Sequence, residues 1–185
     1  MNHLATSKED ILAASRDLIK ENGWAAVSIR AVASRCSVSA GTIYNYYESK
    51  ADLLSDTIES IWHEIFFHPE DEQVFHDVES CISWIYERLE YGNSQFPGFF
   101  SLHSFGFMRD EKTSGKKRMM KTWGHILNGL CEVLGNDLKV RSDVFDQEFT
   151  EKKFADILFS LILVSMIRQD YDSSSVLMLV KKTLY

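Results

Sequence analysis

The sequence is poor in the residues and segments that mark several large classes of protein. It has only two prolines and nine glycines in 185 residues, which excludes collagen-like repeats and long disordered linkers. Its three cysteines, Cys36, Cys81 and Cys131, are too few and too far apart for a disulfide framework or a paired-cysteine zinc site. No apolar run reaches the roughly 18 residues that cross a bilayer, and the start of the chain has no signal-peptide pattern. We therefore expect a cytoplasmic protein without a membrane partner.

Motifs of the common enzyme classes are also missing. The sequence contains no phosphate-binding glycine-rich loop, no GxSxG nucleophile motif, no HExxH zinc motif and no paired-carboxylate arrangement. We therefore predict that the chain is not an enzyme and uses neither a metal nor another cofactor.

The net charge of −7 disfavours a nucleic-acid partner, but the charges are unevenly distributed. The first 50 residues hold six basic and five acidic side chains, whereas the remainder holds 14 basic and 22 acidic ones. A nearly neutral N-terminal part on an acidic body permits a local surface that faces DNA.

Apolar residues recur at helical spacing along nearly the whole chain, and no stretch alternates as a strand does. An all-α fold is therefore predicted. Thr6 and Glu9 match the capping box of a first helix, and Pro69 ends the fourth helix. Later apolar stripes predict four or five further helices, among them a long one over residues 149–169 and a final one that ends at Tyr185.

Two short helices near the N-terminus are joined by a tight turn, which indicates a helix-turn-helix. Ser28 caps the first of them, and Ser39 caps the second, which is predicted to continue through Tyr47. Ile43 and Tyr47 can face inward, and the outward residues are then Ala40, Gly41, Thr42, Tyr44, Asn45 and Tyr46. Small residues at the helix start allow close approach to a DNA groove, while hydroxyl and amide groups can bond bases and phosphates. The alternative is a small helical bundle with tyrosines as fillers, but no acidic residue occurs from position 36 to 47.

This segment is similar to a known family. Residues 7–54 resemble the DNA-binding domain of the tetracycline-repressor (TetR) family of bacterial transcriptional regulators, through residues 28–33, residues 38–47, Lys50 and Leu53. The resemblance implies phosphate contacts from Ser28, Tyr46 and Lys50, and base or mixed contacts from Ser39, Ala40, Thr42, Tyr44 and Asn45. The family usually has glycine where this chain has Ser37. If that position requires a positive φ, serine destabilises the turn by about 1 kcal/mol.

The resemblance also implies a domain organisation and a function. It implies a helix-turn-helix domain over residues 1–48 and a helical effector-binding and dimerisation domain over residues 49–185. The expected protein is a regulator, most often a repressor, that binds double-stranded operator DNA as a homodimer and is released by a small-molecule effector. Two alternatives stay open: control by a protein partner or by nothing, and a helical interaction protein whose head no longer binds DNA.

The segment at residues 154–167 is apolar nearly all round, and such a helix must be covered on every side. It is either a central core helix or, together with the last helix, part of a subunit interface, and the small number of surrounding helices favours the interface. The predicted interface residues are Leu158, Leu161, Ile162, Ser165, Val176, Leu177 and Val180.

Aromatic residues are concentrated in the middle of the chain. They form either an aromatic core or the lining of a pocket for a flat or apolar effector, with a few polar groups among them. The predicted effector-binding residues are Trp84, Phe100, His103, Phe107 and Trp123.

Overall fold

A computed structural model describes residues 6–66, 75–100 and 114–185, with side chains of the third range from Trp123 onward. These ranges contain eight α-helices and no strand, which confirms the predicted all-α fold. The helices are α1 (Lys8–Asn22), α2 (Ile29–Arg35), α3 (Ala40–Tyr44), α4 (Lys50–Phe66), α5 (Val78–Gln95), α6 (Ser114–Asn136), α7 (Glu151–Arg168) and α8 (Ser174–Leu184), with a 3₁₀ turn at Trp24–Ala26. In the described part of the chain, every helix is too short or too polar to cross a bilayer.

The first helix is capped by Ser7, one residue later than the predicted capping box of Thr6 and Glu9. The Ser7 hydroxyl accepts a 3.1 Å hydrogen bond from the Asp10 N–H, and the Asp10 carboxylate accepts a 2.8 Å bond from the Ser7 N–H. Thr6 is instead buried, and its carbonyl oxygen accepts a hydrogen bond from the Tyr46 hydroxyl. The position before the cap is therefore used to hold the chain to the end of α3.

The chain divides into two compact units, the first of which comprises Met1–His68 and Ser94–Pro97. Side chains from α1 to α4 form its core, which includes Ile11, Ile19, Val32, Ile43, Leu53, Ile61 and Ile65. Ion pairs also join α1 to α4, with Lys8 Nζ 2.6 Å from the Asp56 carboxylate. This compact unit therefore includes α4, while the functional domain boundary predicted after residue 48 stays a prediction.

The second unit comprises Pro69–Asn93 and Gly98–Tyr185. Its core contains buried side chains of α5, α7 and α8, among them Ile82, Tyr86, Leu89, Phe154, Leu158, Ile162 and Val180. The predicted helix over residues 149–169 is α7, which begins after its cap, because the Thr150 hydroxyl accepts a 3.3 Å bond from the Lys153 N–H. The predicted final helix is α8, which ends one residue before Tyr185.

Candidate nucleic-acid interface

A tight turn of four residues joins α2 to α3. The end of α2 is closed by a Schellman pair of hydrogen bonds, in which the Val38 N–H donates to the Ala33 carbonyl at 2.9 Å and the Ser37 N–H donates to the Ser34 carbonyl at 3.1 Å. Ser37 adopts a φ of 56°, in the region that glycine occupies with the least strain. The position therefore does require a positive φ, and this chain meets that requirement with serine.

The short helix α3 is fixed at its start and along its inner side. The Ser39 hydroxyl accepts a 3.2 Å hydrogen bond from the Thr42 N–H and lies 3.1 Å from the Thr42 hydroxyl. Ile43 and Tyr47 are 0% and 4% exposed, as predicted for the inward pair. The helix itself ends at Tyr44, earlier than predicted, and the next two N–H groups, of Asn45 and Tyr46, reach back only three residues, to the Thr42 and Ile43 carbonyls. Five residues cannot hold a helix alone, so this packing determines how α3 is presented.

The opposite side of α3 is open to solvent. Tyr44 is 56% exposed. The other predicted contact residues fall into two groups by exposure. Ser39, Gly41 and Asn45 are exposed, and Ala40 and Thr42 are half-buried. A Cβ added at Gly41 would meet only the Ser39 hydroxyl at 3.6 Å, which is an ordinary contact. Since the fold has room for a side chain at Gly41, the glycine leaves open space outside the helix.

Two residues predicted to contact phosphates make hydrogen bonds inside the first unit. The Tyr46 hydroxyl donates a 2.7 Å bond to the Thr6 carbonyl, so its single proton is already engaged. The Ser28 hydroxyl caps α2 by accepting a 3.1 Å bond from the Ala31 N–H, which leaves its own proton free to donate. Ser28 therefore keeps a donor for a phosphate, whereas Tyr46 would have to give up its bond to Thr6. Both contacts stay predictions.

Ion pairs neutralise most of the cations in the first 50 residues. Lys8 pairs with Asp56, Arg16 and Lys20 pair with Glu64, and Arg35 pairs with Glu21. Arg30 and Lys50 are exposed, and neither forms an ion pair with any residue of the ranges 6–66, 75–100 and 114–185. Lys50 was predicted as a phosphate contact. Arg30, in the first turn of α2, is a candidate that the sequence alone did not single out.

The side of the first unit that includes Asp10 and Asp17 is acidic, unlike the outer side of α3. These carboxylates line a groove of about 410 Å³ together with Arg35 and Cys36. The hydrogen bonds between Arg35 and Glu21 lower the pKa of the glutamate and raise that of the arginine. Burial raises the pKa of the Cys36 thiol, which is therefore protonated at neutral pH. An acidic groove with an engaged arginine and a protonated thiol is unsuited to binding phosphates.

The predicted effector-binding residues that the structure describes, Trp84, Phe100 and Trp123, belong to the second unit. The ring of Trp84 packs against Phe75 with centroids 5.3 Å apart, and that of Trp123 packs against Phe159 at 5.8 Å. Phe100 is 1% exposed. The two others, His103 and Phe107, lie outside the described residues. A common pocket around these side chains stays a prediction.

The predicted subunit interface is corrected in one respect, namely which sides of α7 and α8 could face a partner. Leu158, Ile162, Val176 and Val180 are buried in the chain's own interior, so these four side chains are not available to a partner. Leu161, Ser165 and Leu177 are half-buried, and the Ser165 hydroxyl lies 3.0 Å from that of Tyr86. The large apolar side chains that α7 and α8 leave exposed are Ile157, Val164, Ile167, Met178 and Leu179. An interface on these helices would therefore use the exposed set.

Comparison with known proteins finds a family whose model matches the helix-turn-helix segment. Residues 11–57 match the model of the family described as bacterial regulatory proteins, tetR family. The HTH-type transcriptional regulator UidR of Escherichia coli (strain K12) is 38% identical over 48 residues, which are 26% of this chain and 24% of that protein. The chain thus spans about a quarter of the length of the curated relatives that it matches.

Solved structures share the fold over nearly the whole chain. A TetR transcription regulator from Haloarcula marismortui ATCC 43049 is 17% identical with a TM-score of 0.70, covering 96% of this chain and 98% of that one. FadR from Bacillus subtilis, solved in complex with stearoyl-CoA, is 19% identical with a TM-score of 0.67, covering 97% and 100%. A regulator from Legionella pneumophila is 20% identical with a TM-score of 0.66, covering 100% of both chains. These similarities show a shared all-helical fold.

Proposed function

We propose that the chain, whose residues 11–57 match the family model of bacterial regulatory proteins, tetR family, is a DNA-binding transcriptional regulator rather than an enzyme. The proposal rests on one observation, namely how α3 is held in place and exposed to solvent. Buried side chains hold this short helix, and its outer side is exposed and free of acidic residues. The cations Arg30 and Lys50, which have no ion-pair partner among the described residues, lie at the starts of α2 and α4. A helix presented in this way can read bases in the major groove while neighbouring cations bind phosphates.

The exposed residues of α3 and of its C-cap, Asn45, have different chemistry and therefore different proposed roles in recognition. Asn45 offers an amide that can bond both polar atoms of an adenine edge, and Tyr44 offers a hydroxyl and an aromatic edge. Gly41 lets the backbone at the start of the helix come close to the bases. Thr42 is half-buried with its hydroxyl near that of Ser39, so we assign it mainly to holding the helix start and to contact through its methyl group.

We propose that the chain acts as a homodimer in the cytoplasm. A helix-turn-helix dimer places two recognition helices about 34–36 Å apart, which matches successive major grooves and requires a two-fold symmetric operator. Support for an interface comes from the exposed apolar side chains of α7 and α8, because adjacent exposed apolar side chains mark an association surface. Ile157 and Val164 are seven residues apart on α7, so they share one face of that helix.

We further propose that the regulator is a repressor released by a small apolar or aromatic effector that binds in the second unit. The aromatic side chains of that unit, including Trp84, Phe100 and Trp123, support this assignment. A protein of the same fold, FadR, was solved with stearoyl-CoA bound. By linkage, an effector that weakens DNA binding must itself bind the DNA-bound protein more weakly by the same factor.

The proposal is tested by binding of the purified full chain to DNA. Duplexes are selected from a random pool, and the affinity of the enriched duplex is measured by fluorescence anisotropy against an unrelated duplex. Asn45→Ala is expected to weaken the selected duplex by about 1–3 kcal/mol with little effect on the unrelated one. Lys50→Ala is expected to weaken both duplexes alike, because a phosphate contact carries no sequence information.

A matched control is Lys152→Ala, which removes an exposed lysine from the start of α7 and is expected to leave the affinity unchanged. If the pool enriches no sequence, the DNA-binding proposal is overturned. The alternative of a helical interaction protein with a silent head is then the better interpretation.

A further inference from the structure

The hydroxyl of Tyr171 is a hydrogen-bond donor held in the interior of the second unit without a partner. Tyr171 lies between α7 and α8, and its ring packs edge-on against Phe100 with centroids 6.3 Å apart. The hydroxyl oxygen is shielded from solvent and makes no hydrogen bond in the part of the chain that the structure describes. Burial alone raises the pKa of Tyr171 to about 12. The group is therefore protonated at neutral pH and available only as a neutral donor or acceptor.

A second tyrosine of the same unit, Tyr86 on α5, has a paired hydroxyl. The buried Tyr86 hydroxyl lies 3.0 Å from the Ser165 hydroxyl, within hydrogen-bonding distance. An unpaired buried donor is unfavourable compared with a paired one, and nearly all buried polar groups in native proteins have a partner. The contrast between the two tyrosines indicates that the partner of Tyr171 is not supplied by these protein groups.

We propose that Tyr171 donates a hydrogen bond to a neutral carbonyl or ether oxygen of the effector, with the effector's apolar part packed near Phe100. This inference rests on the proposed effector-responsive function and specifies the chemical class of the ligand. Phe100 is 1% exposed, so the ring beside Tyr171 belongs to the apolar interior of the second unit. A flat apolar compound with one acceptor oxygen satisfies both groups.

The buried surroundings of the Tyr171 hydroxyl favour a neutral oxygen over a carboxylate or phosphate. Asp170 and Asp172 are its two neighbours in the chain, and both are exposed. Neither carboxylate contributes to the raised pKa of Tyr171, which is due to burial alone. An anionic group beside the buried Tyr171 hydroxyl would lose its hydration, which is unfavourable unless a cation pairs with it. We therefore expect this chain to discriminate against acidic ligands.

Two fluorescent probes with one ring system test this inference on the full chain. The first is the neutral ketone 6-propionyl-2-(dimethylamino)naphthalene, and the second is the anion 6-(dimethylamino)-2-naphthoate. Wild-type protein is expected to bind the ketone saturably and about tenfold more tightly than Tyr171→Phe does, which is the usual size of a lost buried hydrogen bond. Emission of the bound ketone should lie at longer wavelength in the wild type, because a hydrogen bond to the carbonyl shifts it. The naphthoate should bind the wild type more weakly than the ketone.

The matched control is Tyr91→Phe, which removes a hydroxyl from an exposed tyrosine of α5 and should leave the ketone affinity unchanged. Tyr171→Phe should melt at the same temperature as the wild type or higher, since the deleted hydroxyl has no internal partner. Equal ketone affinity and emission in wild type and Tyr171→Phe, no saturable ketone binding, tighter naphthoate binding, or a melting temperature several degrees lower would each overturn the inference. Anisotropy with the selected duplex on the same preparations reports DNA binding separately, so the proposed function survives or fails independently.

Discussion

The backbone of the helix-turn-helix is strained at Ser37. Its φ of 56° is held by the two hydrogen bonds that close α2, and a side chain in this conformation costs about 1–2 kcal/mol relative to glycine. Ser37→Gly removes that strain but adds about 0.5–1 kcal/mol of unfolded-chain entropy. We expect a net gain of up to about 1.5 kcal/mol in the free energy of unfolding, measured by urea denaturation.

The control for this change is Ser34→Gly, an exposed position inside α2. Glycine there is expected to lower the free energy of unfolding by about 0.5–1 kcal/mol, as in other helix interiors. Equal losses for the two variants would contradict the strain assigned to Ser37.

Gly41 gives a prediction in which stability and DNA affinity move in opposite directions. An added Cβ meets only the Ser39 hydroxyl at 3.6 Å, and alanine is favoured over glycine in a helix by about 0.5–1 kcal/mol. Gly41→Ala should therefore raise the free energy of unfolding while it weakens binding to the selected duplex. Thermal melts and anisotropy titrations of the same preparation measure the two effects.

Gly129→Ala is the matched control, because this glycine lies in α6 and an added Cβ there meets no atom within 4 Å. It should raise stability to a similar extent and leave the duplex affinity unchanged. Unchanged affinity of Gly41→Ala would mean that the start of α3 does not approach the bases.

At the scale of elements, the helices could be predicted from spacing, but their exact starts could not. Thr6 and Ser7 are each followed three residues later by an acidic residue, Glu9 and Asp10, so the local pattern fits either cap. The structure selects Ser7, since the Thr6 carbonyl accepts the hydrogen bond from Tyr46, which is 40 residues away. A tertiary contact therefore decides a detail that local sequence leaves open.

Which side of α7 faces outward is a second detail that local sequence could not decide. A helix that is apolar nearly all round has no polar side to identify its outward direction. In the structure Leu158 and Ile162 point into the chain's own interior, while Ile157 and Val164 are both 44% exposed. An interface is therefore still predicted on α7 and α8, but through their exposed residues instead of their buried ones.

Val164→Glu tests this face. In a dimer formed through it, the new carboxylate would be buried without a partner, which costs several kcal/mol. Sedimentation velocity should then show a monomer for the variant at concentrations where the wild type is a dimer. Leu138→Glu is the matched control, because Leu138 is 99% exposed in the loop after α6, and it should leave the dimer intact. A dimeric Val164→Glu protein would exclude this face from the interface.

At the scale of the whole molecule, net charge is a poor guide to the candidate interface. The chain carries −7, yet the position of unpaired cations matters more for local phosphate binding than the total. Which cations are unpaired could not be predicted, since their partners come from distant parts of the sequence. Lys8 pairs with Asp56 and Arg35 pairs with Glu21. The recognition helix, by contrast, could be predicted because its caps and inward residues lie within ten residues of one another.

The two arginines of α2 provide the sharpest test of this difference between paired and unpaired charge. Arg30 has no ion-pair partner among the described residues, whereas Arg35 bonds Glu21 and lies 3.8 Å from Asp17. Arg30→Ala should reduce the slope of log affinity against log salt concentration by about one per subunit, because one phosphate contact is lost. Arg35→Ala removes the same formal charge but should leave the slope nearly unchanged. Anisotropy titrations of the selected duplex over a range of salt concentrations measure both slopes. Equal changes in the two variants would show that binding follows net charge alone, and Arg30 would lose its assigned role.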